Sequence, residues 1–445
     1  MHVPLTKLFS VADTDTKISY FLMGFSNLKN KQILKGLFFL LAEIGFFVWL
    51  GLNGLKMLAG LITLGTKTSG EQYDAKQGIY VTVAGDNSML ILLYGLASIL
   101  LIALFVYAYR VNLKSARKIW EFKQEGKKLP TLKDDWNELL DDRLHLLFMV
   151  VPMIGIIFFT VLPIFYMISV AFTSYDHLHL PPGHLFHWVG FSNFSNILSG
   201  PMASTFFPVL GWTLIWAVLA TVSSFILGVL LAMLINTKGL KGQKFYRTIF
   251  ILTMAIPQFI SFLVWANMLN DQGIINRLLE SIGLVSASNP IHFLTGSFAA
   301  KVTVLVVNLW VGMPATMLVT TGILQNLSQD QVEAAQMDGA TKFQIFKNIT
   351  FPQILFVMAP SLIQQFIGNI NNFNVIFLLT GGGPANSDFY RAGHTDLLVT
   401  WLYNLTLNSQ DYNIASVIGI IIFIFSAGFS LLMFKRVNKL QGVNG

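Results

Sequence analysis

The chain contains no cysteine and few charged residues. Only 11% of its 445 residues are Asp, Glu, Lys or Arg, whereas soluble globular proteins have about 25%. Without cysteine there are no disulfides and no thiolate ligands for a metal. Hydrophobic residues make up 54% of the chain, so most of it must lie in lipid.

Long apolar runs account for this composition, because an α-helix needs about 20 mainly apolar residues to cross a hydrocarbon core of roughly 30 Å. The first run lacks a small-residue cleavage site and is predicted to be a permanent helix rather than a signal peptide. The sequence predicts an all-α integral membrane protein with eight transmembrane helices, near 36–64, 89–109, 145–173, 207–236, 248–270, 302–324, 353–380 and 412–434.

Lys and Arg are rare in every second loop. Residues 174–205 contain none, whereas the loop at 110–144 and the turn at 237–247 are rich in both. Because basic loops stay in the cytoplasm, both termini are predicted to be cytoplasmic. The same asymmetry accounts for the net charge of +7 without any binding of nucleic acid. The outward-facing segments are predicted at 65–88, 174–206, 271–301 and 381–411.

The chain divides by pattern at about residue 144. Residues 1–144 read as an amino-terminal accessory region with two transmembrane helices and a basic cytoplasmic linker, and residues 145–445 as a six-helix core. Breaks at membrane depth are tolerated where the freed backbone lines a polar cavity. Pro or Gly interrupts an apolar run of the core at Pro257, Gly312-Met313-Pro314, Pro360 and Gly419. Breaks are predicted at these positions and point towards a transport pathway, and the alternative is a proline that a packed helix carries without a break.

Ionisable residues are absent from the apolar stretches between 207 and 434. Carriers driven by ions, and those that move charged solutes, usually place such groups inside the bundle, so an uncharged solute is expected. The polar groups that remain are amides, which both donate and accept hydrogen bonds and therefore suit sugar hydroxyls. For any single amide the alternative is hydrogen bonding between helices. The candidate residues are Gln258 and Asn308, with Gln365, Asn369 and Asn372, whose i, i+4, i+7 spacing predicts one helix face.

The polar segment 328–352 lies between two apolar runs and is predicted to form two short helices. Ser328 can cap the first, with Gln331 completing a capping box, and Asp338-Gly339 supplies a turn at which a left-handed residue is favourable. The alternative is an amphipathic connector that lies on the membrane face.

This segment resembles the EAA motif of ABC importer permeases, in which Glu-Ala-Ala precedes a Gly and an Ile-x-x-Pro ending. The matching residues are Glu333, Ala334, Ala335, Gly339, Ile349 and Pro352. The resemblance implies that the loop at 328–352 docks on an ATPase subunit and couples ATP hydrolysis to transport, through Glu333, Ala334, Ala335, Asp338 and Gly339.

A second resemblance, over about 145–435, is to the larger permease subunit of maltose and maltodextrin transporters. It is carried by Gly211-Trp212-Thr213, Asn308-x-Trp310-x-Gly312-x-Pro314 and Leu379-Thr380-Gly381-Gly382-Gly383-Pro384. It implies the type I ABC importer fold and sugar contacts at Asn308, Gly312, Asn369 and Asn372, to which we add Gln258 and Gln365. The sequence departs from that pattern at Met254, Gln258, Ala315, Gln365 and Gly368, where Tyr, Ser, Tyr, Ser and Phe are expected.

The resemblance implies a multi-pass, non-enzymatic subunit of the bacterial plasma membrane that imports a neutral sugar. Its expected partners are a second permease, two ATP-binding cassette ATPases, an extracytoplasmic sugar-binding protein and membrane lipid. No phosphate loop of the form G-x-x-x-x-G-K-[ST] occurs, so ATP and Mg are expected on the ATPases and no cofactor on this chain. A permease for another neutral oligosaccharide and a secondary carrier are the alternatives. The loop histidines His177, His179, His184 and His187 match no zinc spacing, and no metal site is predicted.

Overall fold

The computed structural model describes residues 3–440, except 75–77, 132–133, 135, 138–139, 142–143, 238 and 328. Packing groups the chain into two compact units, Met1–Gly190 and Phe191–Gly445. The third apolar helix therefore groups with the first unit, whereas the sequence assigns it to the core. The division at residue 144 stays a prediction.

The first unit begins with three short helices that precede long apolar ones. Its helices are α1 (Leu5–Val11), α2 (Thr14–Ile18), α3 (Phe25–Lys29), α4 (Ile33–Trp49), α5 (Leu55–Thr63), α6 (Ser88–Gln124), α7 (Leu144–Ile156) and α8 (Leu162–Val170). One π-helical turn joins α4 to α5, and another joins α7 to α8.

A β-hairpin in the first unit departs from the predicted all-α fold. Strands β1 (Gly70–Asp74) and β2 (Ile79–Val83) pair antiparallel, with Gly70 opposite Val83. The β-branched and aromatic residues of β2 favour extended backbone, and the segment is too short to cross a membrane.

The second unit is helical throughout its described regular elements. These are α9 (Ser192–Leu198), α10 (Ala203–Ile235), α11 (Gln243–Ala255), α12 (Gln258–Leu269), α13 (Ile274–Ser281), α14 (Ser297–Gln325), α15 (Gln329–Met337), α16 (Lys342–Ile345), α17 (Phe351–Ile370), α18 (Phe373–Leu379), α19 (Leu398–Leu407) and α20 (Tyr412–Leu440). A π-helical turn makes α16 and α17 continuous.

Seven helices in the described part of the chain are long and apolar enough to cross a membrane, and a bent pair forms an eighth candidate. The bent pair is α11 and the segment Gln258–Ser281, which contains α12 and α13, and the two parts meet at an angle of 96°. The backbone of Ile256 is extended, because the ring of the following Pro257 disfavours the helical conformation at the residue before it. The predicted break at Pro257 is confirmed.

The other predicted breaks are wrong. Helices α14, α17 and α20 continue through Pro314, Pro360 and Gly419, since neighbouring helices and local adjustments can satisfy the freed backbone. The predicted span at 353–380 is interrupted instead at Asn371-Asn372. There α17 ends, and the Asn372 side chain caps α18 by accepting from the Val375 N–H at 3.3 Å, a role for which Asn is well suited.

Helices α10 and α14 of the second unit approach each other closely. A Cβ on Gly312 would overlap the Ser224 hydroxyl, and a Cβ on Gly228 would overlap the Thr316 side chain. Each helix therefore carries two small residues four positions apart at the contact, the spacing that lets membrane helices approach closely. Beside this contact, Trp216 and Val304 are fully buried in an apolar cluster that also receives Ile376 of α18.

The loop between α18 and α19, residues 380–397, is a compact polar structure that we call the glycine loop. The Trp212 indole N–H of α10 donates to the Thr395 carbonyl at 3.1 Å. The buried Asp396 carboxylate accepts from the Gly393 N–H at 2.8 Å, and it lies so close to Gly382 that a Cβ there would overlap it. The glycine loop is outside the candidate spans, and burial raises the pKa of Asp396 to about 6.

We expect Gly228→Leu to destabilise the protein, because the added side chain would push α10 away from Thr316. Overpacking of this kind typically costs about 1–3 kcal/mol. Gly211→Leu is the matched control, since Gly211 also lies in α10 but a Cβ there meets no atom within 4 Å. Thermal unfolding of both purified variants tests the contact, and equal unfolding temperatures would contradict it.

The stability of the glycine loop should depend on pH. Because the pKa of Asp396 rises on folding from 3.8 to about 6, the unfolded chain releases this proton more readily, and stability falls as pH rises through this window. The difference corresponds to about 3 kcal/mol at neutral pH. Asp396→Asn should flatten the profile of unfolding temperature between about pH 4 and 6, and parallel profiles for the two proteins would contradict this account.

Candidate functional site

A cavity of about 450 Å³ lies within the second unit. Its walls come from the start of α12, the middle of α14, the end of α17, and the turn that leads into α18. The structure brings all six candidate solute-binding residues to this one cavity, which is lined by Gln258, Asn308, Gly312, Gln365, Asn369 and Asn372, together with Phe262, Val311, Ala315, Gly368, Asn371, Phe373, Asn374 and Val375.

The two interrupted spans meet at this cavity. Helix α12 begins at Gln258, directly after the proline break, and α18 begins at Phe373, directly after the asparagine break. Both residues line the cavity. Irregular backbone at membrane depth is tolerated where it lines a polar space, so the breaks and the cavity explain each other.

Asn369 has a structural role as well as a place in the lining. Its side-chain N–H donates to the Thr221 hydroxyl of α10 at 2.9 Å, and its main-chain carbonyl accepts from the Trp216 indole N–H at 3.1 Å. The Asn372 amide donates to the Asn369 side-chain oxygen at 3.4 Å. Hydrogen bonding between helices, the alternative considered for each amide, therefore describes Asn369 well.

The prediction that Gln365, Asn369 and Asn372 share one helix face is wrong for Asn372. Helix α17 ends at Ile370, so Asn372 lies in the turn and reaches the cavity by a different route. The i, i+4 pair Gln365 and Asn369 does lie in the helix and lines the cavity as predicted.

Asn308 and Gly312 differ from each other in what they offer a solute. The Asn308 amide has no hydrogen-bond partner among the described residues, and 7% of the residue is exposed. The prediction that its helix is broken is wrong, because α14 is continuous. The missing Cβ of Gly312 would point at Ser224 of α10 rather than into the cavity, so this glycine is required for helix packing.

The rest of the lining is apolar or small. Phe262 and Phe373 supply aromatic surface, and a Cβ on Gly368 would meet no atom within 4 Å. Trp265 and Trp310 contact each other edge-on beside the cavity's helices, with ring centroids 5.8 Å apart, and neither is a lining residue. No Asp, Glu, Lys, Arg or His occurs among the described lining residues.

Sequence reasoning missed Asn371 and Asn374 as lining residues. The signal was present, because three asparagines among residues 371–374 are unusual inside an apolar run and are typical of a helix end. Phe262 gave no comparable signal, since a phenylalanine in a membrane helix usually faces lipid or a packed core.

The loop at 328–352 forms a second candidate site. Gly339 has a φ of +81°, which confirms the predicted left-handed turn after α15. The predicted second short helix is instead the start of a continuous helix over Lys342–Ile370. Thr341 begins it with a capping box, in which its hydroxyl accepts from the Gln344 N–H at 3.3 Å. The predicted cap at Ser328 lies outside the described residues.

The candidate coupling residues Glu333, Ala334, Asp338 and Gly339 are exposed, and Ala335 is half-buried. Sequence reasoning missed Met337, which is 88% exposed at the end of α15. An apolar side chain in an otherwise polar helix was the available signal. The Gln353 amide of α17 donates to the Gln331 side-chain oxygen of α15 at 2.7 Å, which ties the exposed helix α15 to a candidate membrane span.

Two of the loop histidines have polar partners in the first unit. His179 Nδ1 lies 2.7 Å from Asp176 Oδ1, and His187 Nδ1 lies 3.1 Å from the Ser174 hydroxyl. That these histidines bind no metal stays a prediction.

Comparisons with known proteins agree with this arrangement. Residues 224–439 match the family described as binding-protein-dependent transport system inner membrane components. The chain is 34% identical to the galactooligosaccharides transport system permease protein GanP of Bacillus subtilis, over 94% of this chain and 96% of that protein. It is 36% identical to the maltodextrin transport system permease protein MdxF of the same organism, over 93% of each chain.

A solved structure shows the same fold. A chain of a bacterial ABC transporter involved in the import of the acidic polysaccharide alginate superposes with a TM-score of 0.57 and 24% identity, over 68% of this chain and 98% of that one. Together with the relatives that match along almost their whole length, this places the protein: the chain belongs to the family of binding-protein-dependent transport system inner membrane components, the multi-pass permease subunits of ABC importers.

Proposed function

We propose that this permease carries a neutral sugar of the maltose or maltodextrin kind through the cavity between α12, α14, α17 and α18. The observation that carries the proposal is the lining, which combines amides and aromatic rings without any charged side chain. Amides can pair with sugar hydroxyls in either direction, and aromatic faces suit the apolar CH surfaces of a sugar ring.

The names of the relatives support this cargo. MdxF is a maltodextrin permease and GanP a galactooligosaccharide permease, and both names describe neutral saccharides. The alginate transporter imports an acidic polysaccharide, but the described lining of this cavity offers no basic residue to a carboxylate. Another neutral oligosaccharide is therefore the main alternative cargo, and a secondary carrier is disfavoured because no ionisable group is found among the described lining residues.

The width of the cavity bears on the size of the sugar. Ala315 and Gly368 line it at positions where the maltose permeases are expected to carry Tyr and Phe. Small residues at both positions leave room for a bulkier or differently oriented saccharide than those aromatic rings would admit.

The proposed arrangement in the membrane has eight spans with both termini in the cytoplasm. Basic loops support this orientation, and it puts α15 and Gly339 on the cytoplasmic side. The exposed helix α15 would then dock on one of two ATP-binding cassette ATPases, which use ATP and Mg. A second permease and an extracytoplasmic sugar-binding protein complete the proposed complex.

We expect Asn308→Leu to reduce transport about tenfold while the complex still assembles. The amide has no described protein partner, so its loss removes a hydroxyl partner without untying any helix, and an unpaired buried polar group costs about 1–3 kcal/mol. Sugar uptake, ATPase rate and assembly should be measured on the same reconstituted complexes.

Thr221→Val is the matched comparison for this test. It breaks the hydrogen bond to Asn369 without altering a lining residue, so it should lower thermal stability with little change in uptake per assembled complex. Asn369→Leu should show both effects. Normal uptake by a well-assembled Asn308→Leu complex would contradict the proposal that Asn308 contacts the sugar.

We expect Gly339→Val to uncouple ATP hydrolysis from transport. A β-branched residue is strained at a φ of +81°, so the turn that orients α15 against α16 would change. Gly283→Val is the matched control, because Gly283 is also exposed, has a φ of +76° and meets no neighbouring atom. Receptor-stimulated uptake that is equally normal in both variants would argue against a coupling role for this loop.

A further inference from the structure

The amino-terminal segment, residues 3–31, packs on the end of α6. This helix has 37 residues and is therefore about 55 Å long, whereas a hydrocarbon core is roughly 30 Å thick. Its last third must project beyond the core. Tyr109, at the end of the apolar stretch, donates its hydroxyl to the Tyr20 carbonyl at 2.9 Å, and Arg117, in the projecting part, donates to the Val3 carbonyl at 3.2 Å.

Buried polar side chains hold the middle of this segment in place. The Asn112 side chain accepts from the Gly24 N–H at 2.8 Å and donates to the Ser19 carbonyl at 3.0 Å. The buried Glu43 carboxylate of α4 accepts from the Met23 N–H at 2.8 Å. Residues 19–24 are thus fixed beside Glu43 of α4 and Asn112 of α6, and the depth of these two side chains in the membrane sets the depth of the segment.

The charge pattern of α6 places residues 19–24 at the edge of the hydrocarbon core. From Ser88 to Tyr109, α6 is apolar over about 33 Å, enough to cross the core, and the basic residues of this helix begin at Arg110. Asn112 follows two positions later. The backbone that it binds, Ser19 and Gly24, therefore lies at the boundary between acyl chains and headgroups.

Apolar side chains of the segment are exposed at this boundary. Phe21 is 77% exposed, Val11 55%, Phe9 45% and Leu22 40%. The rings of Phe9 and Phe21 also contact each other edge-on, with centroids 6.2 Å apart. We call these four residues the amino-terminal apolar patch.

The charge around the patch is strongly positive. Residues 3–35 and 110–128 contain twelve Lys and Arg and four Asp and Glu. The exposed cations Lys7, Lys31 and Lys114 belong to this excess. A surface that combines exposed aromatic residues with basic ones is typical of segments that lie in the interface of an anionic membrane.

We propose that residues 3–31 form an interfacial anchor that binds anionic phospholipid headgroups, with the amino-terminal apolar patch inserted at the headgroup boundary. The hydrogen bonds of Glu43 and Asn112 to its backbone hold the anchor to the first two membrane helices. The anchor is independent of the proposed sugar cargo and belongs to the first unit alone.

The absence of cysteine allows a direct test with single-cysteine variants of the full-length chain. Phe21→Cys, labelled with an environment-sensitive fluorophore, is reconstituted into phosphatidylcholine vesicles in which phosphatidylglycerol is progressively substituted. Leu52→Cys is the membrane control, because Leu52 is 73% exposed and lies nine residues, or about 14 Å, beyond Glu43 along the same candidate span. Gln124→Cys, about 20 Å beyond Arg110 along α6, is the aqueous control.

We expect lipids with a quencher near the headgroup to quench the label at position 21 strongly, and increasingly so as phosphatidylglycerol is added. Lipids with a deep quencher should act mainly at position 52, and neither kind of quencher should act at position 124. Reversing three exposed charges, with Lys7→Glu, Lys31→Glu and Lys114→Glu, should reduce the quenching at position 21 severalfold in phosphatidylglycerol and leave it unchanged in phosphatidylcholine alone.

Quenching at position 21 no stronger than at position 124 would overturn the anchor. Quenching that ignores phosphatidylglycerol and the charge reversals would overturn the anionic specificity. A label shielded from aqueous iodide only after the other transporter subunits are added, without quenching by lipid, would assign the patch to a protein partner and likewise overturn the proposal.

Discussion

Inside a hydrocarbon core every backbone N–H and C=O must find its partner within the protein, because no water is available. This constraint explains why most spans here are uninterrupted helices, even those that contain Pro314 or Pro360. It also explains where interruptions are allowed. Gln258 and Phe373 begin new helices where the interrupted backbone lines a polar cavity.

Close helix packing and hydrogen bonds between side chains together hold the walls of that cavity in place. Gly228 and Gly312 bring α10 and α14 together, which sets the position of Asn308 on one wall. Asn369 fastens the opposite wall to Thr221 of α10. An amide can serve a neighbour and a passing hydroxyl at once, since it has two donors and an acceptor, so the same residue type builds the wall and presents polar groups to a solute.

The two units satisfy buried polar groups in different ways. In the first unit, Asn112 and Glu43 bind the backbone of the amino-terminal segment. In the second, the glycine loop buries Asp396 against Gly382, where a side chain has no room. Both solutions bury a polar or charged side chain beside main chain, which is stable only while its hydrogen bonds are made.

Much of this protein could be predicted from sequence, where the cause is local. Hydropathy located the apolar spans because burial in lipid depends on composition over about 20 residues. The turn at Gly339 and the break at Pro257 followed from backbone sterics of one or two residues. The expectation that Gln258, Asn308 and Asn369 belong together, which the shared cavity agrees with, followed from the scarcity of polar groups in apolar runs.

The rest was decided by tertiary structure, because it depends on which neighbours are present. Whether Pro314 breaks its helix, and whether α17 ends at Ile370, depends on how adjacent elements satisfy the backbone. That Asn369 binds Thr221, while Asn308 has no described partner, depends on the distance between helices. The sequence by itself determined which residues could form a polar path through the membrane, and only packing decided which of them also hold its walls together.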